Sequence, residues 1–251
     1  MDRITVAALQ QMKQQRRKIV GVVVYDVQMA RIADRAGVDL VSVGDSVGVN
    51  MWGHQRESDV TLGEMLIACK AVRRGVSRAV VSCDLPEAAE DVVAAARKLT
   101  AEGGADMVKL EADAQTVQAI VRAGVAVWAQ LTEKGEGGRG KGEAGRGQEI
   151  AGLVEQAKAL EAAGASMLDF RHSGPVAGAA VVDAVSIPVI GGLGGGPWLD
   201  GRVRAIVNAI GYSAAALDDN ADRYANVARV ALDAITLYAD DVRGGRQVRG
   251  K

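Results

Sequence analysis

The sequence predicts a (β/α)₈ barrel, the TIM-barrel fold, on three observations. Short apolar segments recur along the chain, each the length of one strand buried on both faces. Four of them share one pattern, a helix end, a glycine and then the strand, at Gly37, Gly104, Gly124 and Gly164. A chain of 251 residues, 49% hydrophobic and only 3% aromatic, can fill one barrel with Val, Ala, Leu and Ile.

Seven segments are predicted to form strands, and an eighth strand is expected near Arg204–Ile210. A glycine before a strand accepts the left-handed conformation that ends the preceding helix. The alternative is an open doubly wound sheet, although no GxGxxG turn follows the first strand. The seven segments are IVGVVVYD, AGVDLVSVGD, RAVVSCD, GGADMVKLEA, AGVAVWAQL, AGASMLDFR and IPVIGGL.

The whole chain, residues 1–251, is predicted to be a single barrel domain with added segments. We expect an N-terminal helix within residues 1–17, C-terminal helices within 214–240 and a flexible tail at 243–251. Residues 133–147 hold seven glycines among alternating charges, and glycine loses much conformational freedom on ordering. This segment is expected to be a mobile loop on the active-site face, either a lid or a plain linker.

Composition excludes several kinds of partner. The net charge is −1, with 30 basic and 31 acidic residues, so nucleic acid is not expected to bind. The sequence contains neither a membrane-spanning apolar run nor a signal-peptide pattern, so no membrane partner and a cytoplasmic location are expected. The two cysteines, Cys69 and Cys83, imply no disulfide framework. Cys83 is expected to be a small core residue, with a soft metal ligand as the alternative.

Three carboxylates end three predicted strands: Asp45, Asp84 and Glu111. Acidic groups brought together repel one another unless a cation lies between them, and carboxylate oxygens suit Mg²⁺. Lys109 lies two residues before Glu111 and therefore on the same strand face, where it could bind a substrate carboxylate or pair with Glu111. Ser46 follows the first of these strands and can donate a hydrogen bond to the same substrate carboxylate.

An ordered set of motifs resembles the ketopantoate hydroxymethyltransferase family, which belongs to the phosphoenolpyruvate mutase and isocitrate lyase superfamily of barrels. The resemblance covers about residues 20–212. The motifs are Tyr25-Asp26, ARIADRAGVDLVSVGDSVG (30–48), Gly53-His54, Val60-Thr61, KAVRRG (70–75), DLP (84–86), MVKLE (107–111) and IPVIGGLGGGPWLDG (187–201).

The resemblance implies that Asp45, Asp84 and Glu111 bind Mg²⁺ and that Ser46 holds the carboxylate of a 2-oxo acid, with Lys109 beside it. The family reaction removes a C3 proton, and the resulting enolate attacks one-carbon-loaded tetrahydrofolate. The implied cofactors are therefore Mg²⁺ and, as one-carbon donor, 5,10-methylenetetrahydrofolate. The family's oligomerisation implies a homo-oligomer.

The chain departs from the family pattern where protons are transferred. Gln130 stands at the position of the family's histidine, Arg171 at that of its glutamate base, and Glu87 where the family has Phe. Arginine stays protonated and cannot act as a general base, so Arg171 is expected to bind an additional anionic group. Asp169 or His172 is expected to take over proton abstraction.

The sequence therefore predicts a Mg²⁺-dependent enzyme that acts on an altered 2-oxo acid through an enolate, with one-carbon or related aldol-type chemistry. The alternatives are a carbon–carbon lyase or mutase acting on a more anionic oxyacid, and a non-catalytic metabolite-binding barrel. The residues expected to act in catalysis are Asp169, Arg171, His172 and Lys109. Those expected to bind substrate are Ser46, Gly44, Lys109, Gln130 and Arg171.

Overall fold

Eight parallel strands close into a barrel in chain order in a computed structural model that describes residues 3–131, 143–192 and 195–247. The predicted (β/α)₈ barrel is confirmed, and the alternative open sheet is wrong because the strands close on themselves. The strands are β1 Ile19–Val23, β2 Leu40–Val43, β3 Val80–Asp84, β4 Met107–Glu111, β5 Val127–Leu131, β6 Met167–Phe170, β7 Val189–Gly191 and β8 Gly201–Ala205.

Helices connect the strands in the order that such a barrel requires. Of the predicted loop 133–147, residues 133–142 lie outside the described residues, and the remainder is helical rather than a loop because a helix begins at Glu143. The described helices are α1 Val6–Gln14, α2 Val27–Ala36, α3 Leu62–Gly75, α4 Val92–Ala101, α5 Ala114–Arg122, α6 Glu143–Ala162, α7 Pro175–Ala184, α8 Ile206–Ala209 and α9 Val227–Arg243.

The chain divides into two compact units, Met1–Arg204 and Ala205–Lys251. In the second unit α9 begins at Asn226, whose side chain accepts a hydrogen bond from the amide of Arg229 at 2.9 Å. Helix α9 ends at Arg243, three residues beyond the predicted limit of 240. The single-domain organisation and the flexible tail stay predictions. None of the described helices is long and apolar enough to cross a membrane.

The eighth strand begins earlier than predicted. The segment near Arg204–Ile210 was expected to be extended, but residues Ile206–Ala209 form α8 and the strand covers Gly201–Ala205. In this strand Val203 is buried, whereas Arg202 and Arg204 are exposed. One inward apolar residue gives too weak an alternation to mark the strand, and the apolar run after it belongs to the helix.

The predicted pattern of helix, glycine and strand is confirmed. Gly37, Gly104, Gly124 and Gly164 have φ values of 86°, 78°, 83° and 97°, the left-handed region that glycine tolerates best. The aspartate of the Tyr25-Asp26 motif begins the next helix, because its Oδ1 accepts the amides of residues 28 and 29 at 2.7 and 2.9 Å. These termini fix where each strand ends, and hence where its last side chain points.

The amino ends of the strands are closed by apolar side chains. Helix α1 is held at its start by Thr5, whose hydroxyl accepts the amide of Ala8 at 3.1 Å. The helix is shorter than the predicted 1–17, and its buried face joins one side chain from each strand in a single cluster. The cluster consists of Leu9, Met12, Ile19, Leu40, Val80, Met107, Trp128, Met167, Ile190 and Val203.

Both cysteines belong to the core. Cys69 on α3 and Cys83 on β3 are fully buried and carry free thiols. Burial raises the pKa of the Cys83 thiol well above its ordinary value, and its hydrogen bond with Cys69 adds to that effect. Cys83 is therefore a small core residue, as the sequence predicts.

The Asp34 carboxylate joins α2 to the segment that leads into β3. Its Oδ2 accepts both the amide and the hydroxyl of Ser77, at 3.0 and 2.7 Å, and its Oδ1 accepts the amides of Arg78 and Ala79 at 3.1 and 2.9 Å. Partial burial raises the pKa of Asp34, but the hydrogen bonds from Ala79, Ser77 and Arg78 outweigh it and lower the pKa to about 2. The ionised carboxylate is therefore part of the folded state.

Asp34→Asn should lower the free energy of unfolding at neutral pH by about 1 kcal/mol, a modest value because the carboxylate is partly solvated. A depressed folded-state pKa gives stability that is present above the unfolded pKa of about 4 and is lost as pH falls through about 2. The difference between variant and wild type should therefore shrink over that interval. Urea unfolding at several pH values measures it, with the exposed Asp183→Asn as control. A difference independent of pH would contradict the assignment.

Candidate active site at the carboxyl ends of the strands

Ionisable side chains from neighbouring strands converge inside the barrel. Asp84 on β3 is in register with Lys109 on β4. Glu111 on β4 is in register with Gln130 on β5, and Gln130 is in register with Asp169 on β6. Partners in register on parallel strands point to the same face, as do residues two apart on one strand. These side chains therefore all face the interior at the carboxyl ends of their strands, where barrel enzymes carry their active sites.

The Lys109 ammonium is buried between two carboxylates. Its Nζ lies 3.4 Å from Oδ2 of Asp84, 3.3 Å from Oδ2 of Asp169 and 5.2 Å from the ring centroid of Trp128. Burial lowers the pKa of Lys109, but the charges of Asp84 and Asp169 outweigh it, so the net pKa is raised. Lys109 is thus a fixed cation, and its described partners are Asp84 and Asp169 rather than the predicted alternative, Glu111.

Asp169 joins Lys109 to Arg171. Its Oδ2 also accepts a hydrogen bond from Nε of Arg171 at 3.2 Å, and the aspartate is only 1% exposed. Burial lowers the pKa of the Arg171 guanidinium, but the charges of Asp169 and Asp84 raise it above its ordinary value. Two cations, Lys109 and Arg171, therefore share one oxygen of Asp169.

A hydroxyl network lies at the end of β2. Tyr25 Oη and Ser46 Oγ are 3.0 Å apart, and Nδ2 of Asn50 donates to Tyr25 Oη at 3.0 Å. Gly44 is required beside this network, because a Cβ there would lie 2.9 Å from Oγ of Ser46 and from Cγ1 of Val23. The Ser46 hydroxyl is therefore held in one place by its neighbours.

Asp45 and Asp84 carry negative charge that the protein only partly compensates. Burial raises the pKa of Asp45, and the charge of Glu57 raises it further, against attraction from Lys109 and Arg171. Burial also raises the pKa of Asp84, to about 6, despite the nearby Lys109. A bound cation would stabilise the charged forms of both groups.

A cavity of about 620 Å³ lies at the carboxyl end of the barrel. Among the predicted site residues, its walls contain Asp45, Asp84, Lys109, Glu111, Gln130 and Arg171. Three acids that strand-end reasoning missed also line it: Glu57, Glu87 and Asp113. The cavity is therefore acidic overall, with two fixed cations on its inner wall.

Comparison with known proteins identifies the family. The family model described as ketopantoate hydroxymethyltransferase matches residues 3–247. The chain belongs to the ketopantoate hydroxymethyltransferase family. Among curated relatives, the 3-methyl-2-oxobutanoate hydroxymethyltransferase of Prosthecochloris aestuarii is 36% identical over 98% of this chain and 94% of its own. The resemblance that the motifs predicted is confirmed, and the family is one of transferases.

Solved structures share the fold at lower identity. A 2,3-dimethylmalate lyase of the PEP mutase/isocitrate lyase superfamily superposes with a TM-score of 0.64 at 16% identity, covering 85% of this chain and 84% of that one. A phosphonopyruvate hydrolase, crystallised with oxalate and Mg²⁺, gives a TM-score of 0.62 at 15% identity, covering 97% and 88%. At these identities the likeness shows the barrel fold.

The acids of this family member fit a divalent cation without forming a closed site. Among the described residues, no three His, Cys, Asp or Glu side chains lie close enough to hold one metal ion. Glu111 is exposed and accepts a hydrogen bond from Nε2 of Gln130 at 3.3 Å. However, Oδ1 of Asp84 is buried without a partner in the described structure, and hard carboxylate oxygens suit Mg²⁺. A metal ion shared by Asp45, Asp84 and Glu111 therefore stays a prediction. The oxygen donors of these three residues are of the kind that Mg²⁺ prefers.

The predicted proton-transfer residues differ in position. Asp169 is buried beneath Arg171, whereas His172 is exposed in a left-handed turn with φ of 53°. His172 follows the inward-facing Arg171 directly and is not among the described residues that line the cavity. The strand ends at Phe170, and the turn that follows it carries His172 away from the cavity wall.

Removing the Lys109 charge should destabilise the fold. Lys109→Met leaves Asp84 and Asp169 without their shared cation, and breaking a buried ion pair on one side costs about 3 kcal/mol. A second change, Asp169→Asn, should recover part of the loss because it removes one of the uncompensated charges. Urea unfolding followed by circular dichroism measures both, with the exposed Lys98→Met as control. Unchanged stability of Lys109→Met would contradict the central role of this ammonium.

Proposed function

We propose that this chain is a Mg²⁺-dependent enzyme that enolises a 2-oxo acid and adds a hydroxymethyl group to the enolate. Membership of the ketopantoate hydroxymethyltransferase family supports the reaction class. The observation that carries the proposal is the buried Asp84, whose Oδ1 has no described partner while Oδ2 lies 3.4 Å from Nζ of Lys109. A cation site beside a fixed ammonium suits an oxyacid, which offers a keto oxygen and a carboxylate.

Different residues of the site are assigned to the metal ion and to the substrate carboxylate. Asp45, Asp84 and Glu111 would hold the metal ion, which would supply positive charge to stabilise the negative charge that develops on the keto oxygen. Lys109, on the inner wall of the cavity, neutralises the substrate carboxylate. Ser46 donates a hydrogen bond to the same carboxylate, and its Oγ is oriented by the hydroxyl of Tyr25 at 3.0 Å. Fixed partners of this kind reduce the entropy lost when the substrate binds.

The substrate is more anionic than a simple 2-oxo acid. Arg171 lines the cavity, and within the described residues only its Nε is hydrogen-bonded, to Asp169. Its terminal amino groups can donate two parallel hydrogen bonds, the geometry that carboxylate and phosphate groups accept. A dicarboxylic or phosphorylated 2-oxo acid therefore fits this wall. Gln130, whose amide donates to Glu111, fixes the neighbouring wall.

The sequence also predicts a one-carbon donor, an oligomeric state and a location in the cell. The comparisons give no support to 5,10-methylenetetrahydrofolate as one-carbon donor, so the proposal names no donor. A homo-oligomeric state and a cytoplasmic location stay predictions from the sequence.

One observation favours a second candidate function. Arg171 stands where the family pattern has its base, so a reaction without C3 proton abstraction suits the inner wall. Carbon–carbon cleavage of an anionic oxyacid is such a reaction, and a 2,3-dimethylmalate lyase shares the fold. The charged inner wall could also serve a non-catalytic barrel that only binds a metabolite.

Proton exchange separates these functions. We would follow the C3 protons of 2-oxoisovalerate, oxaloacetate and 2-oxoglutarate by NMR in heavy water, with Mg²⁺ and with EDTA. The proposal predicts Mg²⁺-dependent exchange, fastest for a dicarboxylic acid. Appearance of cleavage products in the same spectra would favour the lyase. Metal-dependent binding without either change would favour the non-catalytic barrel.

Asp84→Asn should weaken Mg²⁺-dependent binding of the 2-oxo acid by roughly 100-fold or more, because it removes a direct anionic ligand while keeping the side-chain shape. Isothermal titration calorimetry measures the dissociation constants of Mg²⁺ and of the acid. Glu87→Gln is the matched control, since Glu87 lines the same cavity but is not assigned to the metal. Unchanged Mg²⁺ affinity in Asp84→Asn would show that the metal is held elsewhere.

Arg171→Met should discriminate between substrates. It removes the guanidinium without adding a second negative charge beside Asp169. Losing a charged hydrogen-bond donor costs about 1.5–3 kcal/mol, so affinity for 2-oxoglutarate should fall by about 10-fold or more. Affinity for 2-oxoisovalerate, which has one carboxylate, should change by less than about threefold. Calorimetry measures both, with the exposed Arg97→Met as control. An equal loss for the two acids would show that Arg171 does not recognise a second anion.

A further inference from the structure

Proton abstraction needs a residue that the inner wall does not provide. Arg171 is always protonated and cannot accept a proton. Asp169 is 1% exposed, and its Oδ2 already accepts from Nε of Arg171 at 3.2 Å and lies 3.3 Å from Nζ of Lys109. Lys109 and Arg171 thus share one oxygen of Asp169, and this aspartate is not among the described residues that line the cavity. His172 is exposed and is not among the described residues that line the cavity.

The cavity wall contains six acidic residues, and four of them have another role. Asp45, Asp84 and Glu111 are the proposed metal ligands. Glu111 accepts the amide of Gln130 at 3.3 Å. Asp113 begins α5, because its side chain accepts the amide of residue 116 at 2.8 Å, and that hydrogen bond lowers its pKa. The two acids of the wall that remain are Glu57 and Glu87.

Glu57 is the acid that faces the reacting end of the site. It lines the same cavity as Asp45, and its charge raises the pKa of Asp45 and of Tyr25, the partner of Ser46. Among the described residues, the charge of Glu87 acts on the fully solvated Arg56 instead. Both side chains are exposed and line the cavity, but Glu57 is the one whose charge acts on Asp45 and on the Tyr25–Ser46 pair.

The backbone of Glu57 is held in place although its side chain is exposed. It opens a 3₁₀ turn, Glu57–Asp59, in which its carbonyl accepts the amide of Val60 at 3.1 Å. Oδ2 of Asp59 accepts the amide of Arg56 at 3.1 Å and so closes the turn. No hydrogen bond to the Glu57 carboxylate occurs among the described residues. A carboxylate on a fixed turn, without a competing partner, can accept a proton from a bound molecule.

We propose that Glu57 is the general base of this enzyme, replacing the glutamate that the family carries at the position of Arg171. The inference rests on the proposed enolisation. One oxygen of Glu57 takes the C3 proton of the 2-oxo acid, and the electron pair of the broken C–H bond forms the C2=C3 double bond. The keto oxygen gains the negative charge, and Glu57 becomes a neutral carboxylic acid. Return of the proton, or of a deuteron from solvent, regenerates both partners.

Glu57→Gln tests the assignment, because it keeps the size of the side chain and removes its basicity. The rate of C3 deuterium exchange at saturating Mg²⁺ and 2-oxo acid should fall by about 10²–10⁴-fold, the usual contribution of a general base. The dissociation constant of the acid should change by less than about threefold. Glu57→Asp should recover part of the rate. Glu87→Gln, the matched control from the same wall, should exchange within about threefold of wild type.

The possible failures are distinguishable. If wild type shows no Mg²⁺-dependent exchange with any acid, enolisation itself is wrong. If wild type exchanges and Glu57→Gln does so at the same rate, the base lies elsewhere. A loss in Glu87→Gln equal to that in Glu57→Gln would overturn the choice between the two acids. A parallel loss of substrate affinity in Glu57→Gln would make Glu57 a binding residue instead of the base.

Discussion

The interior of the barrel depends on burying one ammonium group, that of Lys109. Moving such a charge out of water is costly, and here two carboxylates and the ring of Trp128 compensate for the loss of solvent. Two acids around one base leave an excess negative charge, and Arg171 reduces it by binding Asp169. Among the described residues, Oδ1 of Asp84 and Oδ1 of Asp169 both lack a hydrogen-bond partner, and of the two aspartates Asp84 is the one that lines the cavity. The same arrangement therefore compensates the buried ammonium and leaves the carboxylate oxygen on which the proposed metal site depends.

Much of the barrel could be predicted because its signals are local. A glycine that ends a helix, followed by an apolar run, marks a strand within a few residues, and the left-handed φ of Gly37 and Gly104 follows from that position. The eighth strand was misplaced because its inward side is marked by Val203 alone, between two exposed arginines. Its extended form depends on pairing with β7, which no local pattern encodes.

The acids at the strand ends were predictable for the same reason, since alternation along one strand is a local property. The partner of Lys109 was not. The sequence suggests Glu111, two residues away, whereas register across β3, β4 and β6 brings Asp84 and Asp169 to the ammonium. Glu57 gives no strand-end signal either, because it lies in the connection after β2. That connection is compact, and a Cβ at Gly48 would lie 2.7 Å from the ring of His54.

The distribution of charge determines how a substrate lies in the cavity. Lys109 and Asp169 are buried at the inner wall, whereas Glu57 is exposed near the mouth. The proposed substrate's anionic oxygens would be attracted inward, towards Lys109 and towards the cation that Asp84 would hold, so the carbon that loses its proton would point outward to the loop after β2. With Glu57 as the proposed base, proton abstraction and anion binding would fall to different parts of the site. The position after β6 can then carry an arginine that binds an anionic group. A glutamate base at the same position could not bind an anion.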